Sequence, residues 1–560
     1  MAWAPQTTGQ GHGRVTGPPS PDRPSVPETT AGEHATPRRA LRTSSRIAGG
    51  TLLSRVTGLV RVSITFAVLG ETVLADTYNS ANSTPNLIYE LLLGGVLTAT
   101  VVPLFVDLHG NDDTEGSRAV LTTAVVALFA LSGIAALTAP WIARLLSLQV
   151  GSTDHAVAVS LGTVLIRCFA AQILGYGFTA LAAAALNARG RFAAAAYAPV
   201  LNNLIVCGVL LAVRAGHPSL DAAAGLAAVE RDAALTLALG LGTTAGIIAT
   251  ALALVPALRR ARVSLRPRWA PRDPAVGRLV RNSGWTIGYV VANQIALLVV
   301  MVVARDTDGA LTAYQLAFVF FQLPHGLVAV SIMTAWLPDL SARASRGDFE
   351  GMRARFDAGL VVLIALMAPA AAGYVALSVP IVDTFLTTGE AVPTNVAAAL
   401  SGFALGLVPF SVYLFALRGF YALGDTRTPF VVNAFENTLN IAFAVPAFAW
   451  WGVRGLAGAY SAAYLFAAVV ALVRLRTRIG PVGRVLGGRL VVSSILGSSA
   501  CGVLAWAFAR EIDNRVLAVG GGTLVGVLVY AVAIRLGGAT ELRAMFGRDR
   551  TETRASGVDV

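Results

Sequence analysis

The stretch IAGGTLLSRVTGLVRVSITFAVLG, residues 47–70, has the length and apolar character of a membrane-spanning helix, yet it carries two arginines. Such a helix needs about 20 predominantly apolar residues. A charged side chain at its centre costs roughly 2.5–3.5 kcal/mol on insertion scales. We therefore expect Arg55 and Arg61 to face a water-filled cavity or a partner, because charges inside membranes usually mark a substrate or ion path.

The rest of the chain also has the composition of a membrane protein. Of its 560 residues, 55% are hydrophobic and 13% are charged, whereas a soluble domain is usually about 25% charged. About fourteen segments reach the length needed to cross a bilayer. Their approximate limits are 47–69, 75–106, 119–143, 157–186, 192–213, 233–257, 282–304, 310–338, 357–382, 394–417, 429–449, 455–473, 488–509 and 515–535. The sequence thus predicts an all-α integral membrane protein.

The loops predict how this protein is oriented. Cytoplasmic loops carry an excess of basic residues, and here the sixth, eighth and twelfth loops are dense in arginine. The net charge of +12 then follows from topology, and nucleic acid is not expected as a partner. An even number of spans places both termini in the cytoplasm, with a disordered tail at 1–44 and a second tail at 538–560.

Sequence matches between distant segments predict an internal repeat. Three residues match at an offset of 235 and three more at an offset of 238: Arg46, Gly49 and Thr51 with Arg281, Gly284 and Thr286, and Phe192, Leu201 and Asn202 with Phe430, Leu439 and Asn440. They indicate two parallel six-helix lobes, 45–258 and 282–474, joined by a basic linker at 259–281. Two additional transmembrane helices follow in 475–537. Transporters built this way bind substrate between the halves and rock one against the other.

Each half carries a proline well inside a long apolar segment. Pro85 interrupts the second span and Pro324 the eighth. Proline removes a helical hydrogen bond and bends the helix, and paired interruptions in two halves point to a binding site or gate. Ordinary structural kinks, which membrane helices tolerate, are the alternative.

The arginines of the first span suggest an anionic substrate. Guanidinium stays charged and binds phosphate oxygens through paired hydrogen bonds. In the second span, Asn86 and Glu90 are four residues apart and share a helix face, and Asp76 lies at its start. We expect all five residues to contact substrate. The alternative is that Glu90 forms a structural ion pair with one of the arginines.

A polar stripe runs along the eleventh span. Asn433, Glu436, Asn437 and Asn440 fall within an arc of about 100° on an otherwise apolar helix, and Asn293 in the seventh span could join them. Such a stripe can line a wet cavity, coordinate a cation through its oxygens, or pack helices together. No cofactor is expected, and coupling to sodium or protons stays open.

No enzyme motif is found in the sequence. It contains no HExxH, GxSxG or P-loop pattern, and no cluster with metal-ligand spacing. Without an ATPase motif, energy for transport would come from an ion gradient, the membrane potential or the imbalance of the substrate itself.

Several motifs resemble one family of transporters. They are SRVTGLVR (54–61), LADTYNSANSTPNL (74–87), LLGGVLTATVVPLF (92–105), ALNARGRFAAAAYAPVLNN (185–203), FQLPHGLVAVSIMTAWLPDLS (321–341) and ALGDTRTPFVVN (422–433). Over roughly 46–475 the chain is similar to the MurJ/MviN family of lipid II flippases, in an actinobacterial-type form. The resemblance implies fourteen helices around a V-shaped central cavity and a plasma-membrane location. It also implies lipid II, a polyprenyl-pyrophosphate-linked cell-wall precursor, as cargo, with membrane lipids and cell-wall synthesis proteins as further partners.

The resemblance assigns roles residue by residue. Arg55 and Arg61 match the cavity arginines of the family's first helix, and Asp76 matches its acidic residue at the start of the second. Where the family has an arginine pair, this chain has Tyr89 and Glu90, so the cationic set is smaller. Some members of the family bind sodium between the seventh and eleventh helices, where the counterparts are Asn293, Asn433 and Asn437.

The sequence therefore predicts a flippase that moves a lipid-linked peptidoglycan precursor by alternating access. Two alternatives remain. A drug or cation antiporter of the same superfamily needs an acidic cavity, which Glu90 and Glu436 favour and the arginines oppose. A non-transporting membrane scaffold would instead act through its tails.

Overall fold

A computed structural model shows an all-helical protein. It describes residues 37–90, 102–110, 113–220, 225–281, 284–386 and 393–537, and every regular element within these ranges is helical. Of the predicted tails, residues 1–36 and 538–560 lie outside the described ranges. Residues 37–44 were expected to be disordered, but they begin the first helix, because a proline at its start and following Arg, Ala and Leu residues favour helix.

Residues Ile47–Val560 form one compact unit by contacts, and Met1–Arg46 are assigned to another. The α-helices are α1 (Pro37–Leu69), α2 (Val73–Tyr89), α3 (Val102–Gly110), α4 (Thr114–Leu146), α5 (Ser152–Asn187), α6 (Ala193–Gly216), α7 (Gly225–Arg231), α8 (Ala233–Arg260), α9 (Pro274–Arg281), α10 (Gly284–Val303), α11 (Ala310–Pro324), α12 (Val330–Ser345), α13 (Phe349–Leu386), α14 (Thr394–Ala404), α15 (Leu407–Ala422), α16 (Arg427–Ile479), α17 (Arg489–Arg510) and α18 (Arg515–Gly537). The predicted linker contains α9 and the irregular residues before it.

Side-chain caps fix where several helices begin. Thr72 accepts a hydrogen bond from the main chain of Ala75 at the start of α2, at 3.2 Å. Asp113 and Asp232 cap α4 and α8 in the same way. Each cap satisfies a backbone N–H that the helix itself leaves without a partner.

The membrane character of the helices is confirmed. Among the described residues, 10 helices are long and apolar enough to cross a membrane, or up to 11 if the pair α14 and α15, bent by 48°, counts as one span. Predicted spans such as 233–257 and 488–509 agree with α8 and α17 to within a few residues. The number fourteen stays a prediction, because the second predicted span runs through residues 91–101, which are outside the described ranges.

Helix α16 holds two predicted spans. Its 53 residues are interrupted at Gly452, where φ is 56° and ψ is −142°. Only glycine adopts this backbone conformation without strain, because it has no Cβ. The interruption separates a first segment, 427–451, from a second, 453–479, and these match the eleventh and twelfth predicted spans.

The two prolines predicted as gate kinks behave differently. At Pro324, α11 ends and a π-helical segment, His325–Ala329, leads into α12. Pro85 lies inside α2, which stays helical as far as Tyr89, with Glu90 as its C-cap. The eighth span thus changes helix type after Pro324 but still counts as one span, Ala310–Ser345, and a gate at either proline stays a prediction. An interruption at Pro85 itself is not seen, because the backbone stays helical there.

Helices pack mainly within each predicted half. In the first half α5 packs against α2, α4 and α8, and α6 packs against α8. In the second half α16 packs against α10, α14 and α15. The two additional helices, α17 and α18, pack against α13 of the second half. Among the described helices, the largest contact between the halves is that of α2 with α11, followed by that of α4 with α10. The α2–α11 contact is therefore where residues of both halves meet.

Candidate functional site

A polar cavity between the two halves contains Arg61. Its volume is about 190 Å³, and it is lined by residues of α1, α2 and α6 from the first half and of α11 from the second. Its polar lining residues are Arg61, Thr65, Tyr78, Asn79, Asn82, Ser83, Thr312 and Gln315. The Nε atom of Arg61 is buried and has no hydrogen-bond partner. Among the described residues, no carboxylate oxygen lies within 4.0 Å of its guanidinium.

Arg55 contacts the second half at the π-helical segment. Its guanidinium packs against Gly326, so closely that a side chain at this position would have to displace it. The adjacent residue, His325, is buried, and its ring forms a hydrogen bond with the Ser411 hydroxyl at 2.9 Å. Arg55 thus links the first span to the interruption at Pro324.

The alternative of a structural ion pair between Glu90 and an arginine is not seen among the described side chains. Glu90 is half-buried at the end of α2, and neither Arg55 nor Arg61 lies within ion-pair distance of it. Asn86, one turn earlier, is exposed. Neither Asn86 nor Glu90 lines the Arg61 cavity. Their predicted contact with substrate remains a prediction.

Asp76 lies at the contact between α2 and α11 and not in the cavity lining. Its side chain is 2% exposed, and its Oδ1 atom accepts hydrogen bonds from the main-chain N–H and the hydroxyl of Thr312, at 2.8 and 2.7 Å. The Asn79 amide also donates to the Thr312 hydroxyl, at 3.0 Å. In this conformation the Asp76 carboxylate is occupied by the protein itself. Contact between Asp76 and substrate therefore stays a prediction for a conformation in which the halves separate.

Arg305 completes this contact, and the sequence alone does not predict its role. It follows α10, is 4% exposed, and donates to the Ser80 and Thr77 hydroxyls of α2 at 3.0 and 2.8 Å. We call Asp76, Thr77 and Ser80 with Arg305 and Thr312 the inter-half contact. Arginine at the end of an apolar span looks like an ordinary boundary residue, so only the fold reveals its partners.

Two further hydrogen bonds join the halves beside the inter-half contact. Gln315 donates to the Ser83 hydroxyl at 3.3 Å. In the loop before α2, the Glu71 carboxylate accepts a hydrogen bond from Asn395 of α14 at 3.1 Å. Burial raises the pKa of Glu71 to about 7, against the opposing effect of this hydrogen bond.

The polar stripe of α16 divides into two sets. Asn433 and Asn437 both form hydrogen bonds with the Asn293 side chain of α10, at 3.2 to 3.3 Å. These amides pack two helices of the second half together. Glu436 and Asn440 are buried, and Oε2 of Glu436 and Oδ1 of Asn440 have no hydrogen-bond partner. Among the described residues, no group of three or more His, Cys, Asp or Glu side chains could hold a metal ion.

A family model and several similar sequences all indicate the same protein family. The family model described as lipid II flippase MurJ matches residues 66–528. A protein of Rhizobium meliloti named "Probable lipid II flippase MurJ" is 30% identical over 527 residues, covering 88% of this chain and 93% of the relative. The "Lipid II flippase MurJ" of Burkholderia cenocepacia is 28% identical over 405 residues, covering 70% of this chain and 74% of the relative.

Solved structures show the same fold. A structure described as "Lipid II flippase MurJ, inward closed conformation" superposes with a TM-score of 0.70 at 20% identity, over 88% of this chain and 98% of the other. An inward-facing multidrug resistance transporter of the MATE family superposes with a TM-score of 0.62 at 16% identity, over 76% and 94%. Because the family model covers most of the chain and the fold agrees with it, this multi-pass membrane protein belongs to the lipid II flippase MurJ family.

Proposed function

We propose that this protein moves lipid II, the polyprenyl-pyrophosphate-linked peptidoglycan precursor, across the bacterial plasma membrane for cell-wall synthesis. One observation carries the proposal: Arg61 lies in a cavity between the two halves with no carboxylate within 4.0 Å among the described residues. A cation inside a membrane without an acidic partner faces water or a bound anion, so its charge is available to an anionic substrate. A pyrophosphate supplies one, and it fits the paired donors of guanidinium.

The mechanism we propose is alternating access between the halves. If the arginine-rich loops and both termini are cytoplasmic, the inter-half contact lies at the outer side, because the loops before α2 and α11 are odd-numbered. The described conformation is then closed towards the outside. Arg61 and Arg55 would bind the headgroup from the inside, and separation of α2 from α11 would release it outside. The polyprenyl tail would stay in the bilayer.

We further propose that a cation drives the return of the empty protein. Glu436 and Asn440 support this, because buried oxygens without hydrogen-bond partners are costly unless they are protonated or bind a cation. Sodium and protons are both candidates. Asn293, Asn433 and Asn437 would hold the two helices in register around this site, because their amides already bind one another. Membrane lipids and cell-wall synthesis proteins are the other partners we propose.

The test is a flipping assay with single arginine variants. In cells depleted of the native protein, lipid-linked precursor is measured on each membrane face. Arg61→Ala should reduce flipping by at least tenfold, because charge-assisted hydrogen bonds are each worth about 1.5–3 kcal/mol. Arg55→Ala should also reduce it. The matched control is Arg144→Ala, an exposed arginine at the end of α4. Normal flipping by both single variants would refute the proposal.

The second candidate function is drug or cation antiport. The buried Glu436 favours it, since antiporters need an acidic group in the membrane. The discriminating measurement uses cells that express Glu436→Gln. An antiporter would lose drug resistance and leave precursor on both membrane faces unchanged. A cation-coupled flippase would accumulate precursor inside.

A further inference from the structure

A second polar pocket lies at the arginine-rich end of α16, between its two segments. Its volume is about 550 Å³. The first segment contributes Arg427, Thr428, Val431, Val432 and Phe435, and the second contributes Val470, Arg474 and Arg478. The pocket thus has three guanidinium groups at one end and apolar side chains along the rest of its wall.

The protein neutralises only part of the charge of this pocket. Its nearest carboxylate, Asp425, lies 3.6 Å from Arg478 and also accepts hydrogen bonds from the main chain and hydroxyl of Thr428. Among the described residues, no carboxylate lies within 4.0 Å of Arg427 or Arg474. Both arginines are exposed. The pocket therefore keeps a net positive charge that a ligand can meet.

The pocket is separate from the proposed transport site. At about 100° per residue, Asn433 and Asn437 lie roughly 200° and 240° from Val431 around the helix axis. The asparagines bind α10, whereas Val431 is 50% exposed and Phe435 is 41% exposed. The pocket consequently opens on the face of α16 away from α10, where a spanning helix meets the acyl chains of the bilayer.

We infer that this pocket binds the headgroup of an anionic phospholipid, with its phosphate on Arg427 and Arg474 and its acyl chains along Val431, Phe435 and Val470. Basic pockets between transmembrane helices at the cytoplasmic side suit such headgroups. Guanidinium matches a phosphate through paired hydrogen bonds. The apolar wall continues directly below the charges, which suits a lipid better than a free ion. The inference does not depend on the transported substrate.

The test measures lipid binding to the purified full chain by native mass spectrometry. Phosphatidylglycerol is titrated against the unaltered protein, the double variant R427Q/R474Q, and the control R476Q/R484Q. The control removes the same charge from exposed arginines of the same region that do not line the pocket. Each basic residue near a lipid surface is worth about 1 kcal/mol. We therefore expect affinity to fall roughly 10–30-fold in the double variant and to stay unchanged in the control.

Three outcomes would overturn the inference. The first is equal affinity in the double variant and the control. The second is equal binding of phosphatidylcholine, which would show that the pocket does not select for anionic charge. The third is displacement of the lipid by inorganic phosphate at about a hundredfold excess over the lipid, which would identify a free-phosphate site. If the double variant does not fold, the single variant R474Q is compared with R476Q, with a smaller fall expected.

Discussion

At the scale of single residues, Asp76 is the most consequential side chain of the inter-half contact. Asp76→Ala removes the acceptor for both donors of Thr312. It also removes a negative charge that interacts with Arg305. Leaving buried donors without a partner costs about 1–3 kcal/mol, so the halves should separate more often. Spin labels are placed at the exposed positions Leu148 and Trp450. The distance between the two labels, measured by double electron–electron resonance, should then increase.

The control for this change is Glu511→Ala, which removes an exposed carboxylate at the end of α17. A distance distribution that is the same in the Asp76 variant and this control would show that the carboxylate does not hold the halves together.

Glu71 gives the same contact a pH dependence. Its pKa is raised to about 7 here by burial, whereas an exposed glutamate titrates near 4.3. Between these values the buried form keeps a proton that the exposed form has lost. Rising pH therefore disfavours the conformation that buries Glu71, by at most tenfold per pH unit, and the effect ends above about pH 7. The two spin labels should show this trend, and Glu71→Gln should weaken it. A trend of unchanged size in Glu71→Gln would assign it to another group.

The sequence predicts some of these residues and not others, for a physical reason. A charge inside an apolar run is visible in the sequence, and Arg61 is indeed found in a polar cavity. The partners of Asp76 and Arg305 lie more than 200 residues away. No local pattern can indicate such a pairing, since it depends on how the two halves meet. The polar stripe shows the same limit: its spacing gives the shared face, but not the division into paired amides and unpaired oxygens.

At the scale of elements, Gly452 allows α16 to form two spans. Gly452→Ala places a Cβ on a backbone with φ of 56° and ψ of −142°, a conformation that costs a non-glycine residue about 1–3 kcal/mol. No atom lies within 4 Å of the added Cβ, so the cost is conformational rather than steric. The melting temperature of the purified protein should fall. Gly458→Ala is the matched control, because its Cβ also meets no atom within 4 Å and its backbone is helical.

The control should melt at the same or a slightly higher temperature, since alanine favours helix over glycine. Equal melting temperatures of the two variants would mean that a residue with a side chain adopts the backbone conformation of Gly452 without strain. The sequence predicts a boundary between two spans here from the length of the apolar segments alone. It could not identify Gly452 as the break, because glycine is frequent throughout the chain and most positions do not require its conformational freedom.

At the scale of the whole molecule, the long apolar segments and their repeat predicted the helical membrane fold and its family. Segment length sets where a helix can span, and this is a property of local sequence. The repeat matches predict two halves, and this division stays a prediction; the described helices pack mainly within these two ranges. The conformation could not be predicted in this way. Whether α2 contacts α11 depends on a balance of a few hydrogen bonds between surfaces that are far apart in sequence.

Transport by rocking requires that the two halves separate, and a covalent link between them should prevent it. Ser83 of α2 and Gln315 of α11 are joined by a hydrogen bond of 3.3 Å. With the three native cysteines replaced by serine, the double variant Ser83→Cys with Gln315→Cys is oxidised, and flipping is compared with the fraction of molecules in which mass spectrometry finds the disulfide. Flipping should then stop, and a reductant should restore it.

The control pair, Ser132→Cys with Ala170→Cys, lies within the first half, where the Ser132 hydroxyl donates to the Ala170 carbonyl at 2.8 Å. Oxidation of the control should leave flipping intact, because α4 and α5 move together. Continued flipping by the oxidised inter-half pair, with the crosslink verified by mass spectrometry, would exclude separation of α2 from α11 as a step of transport.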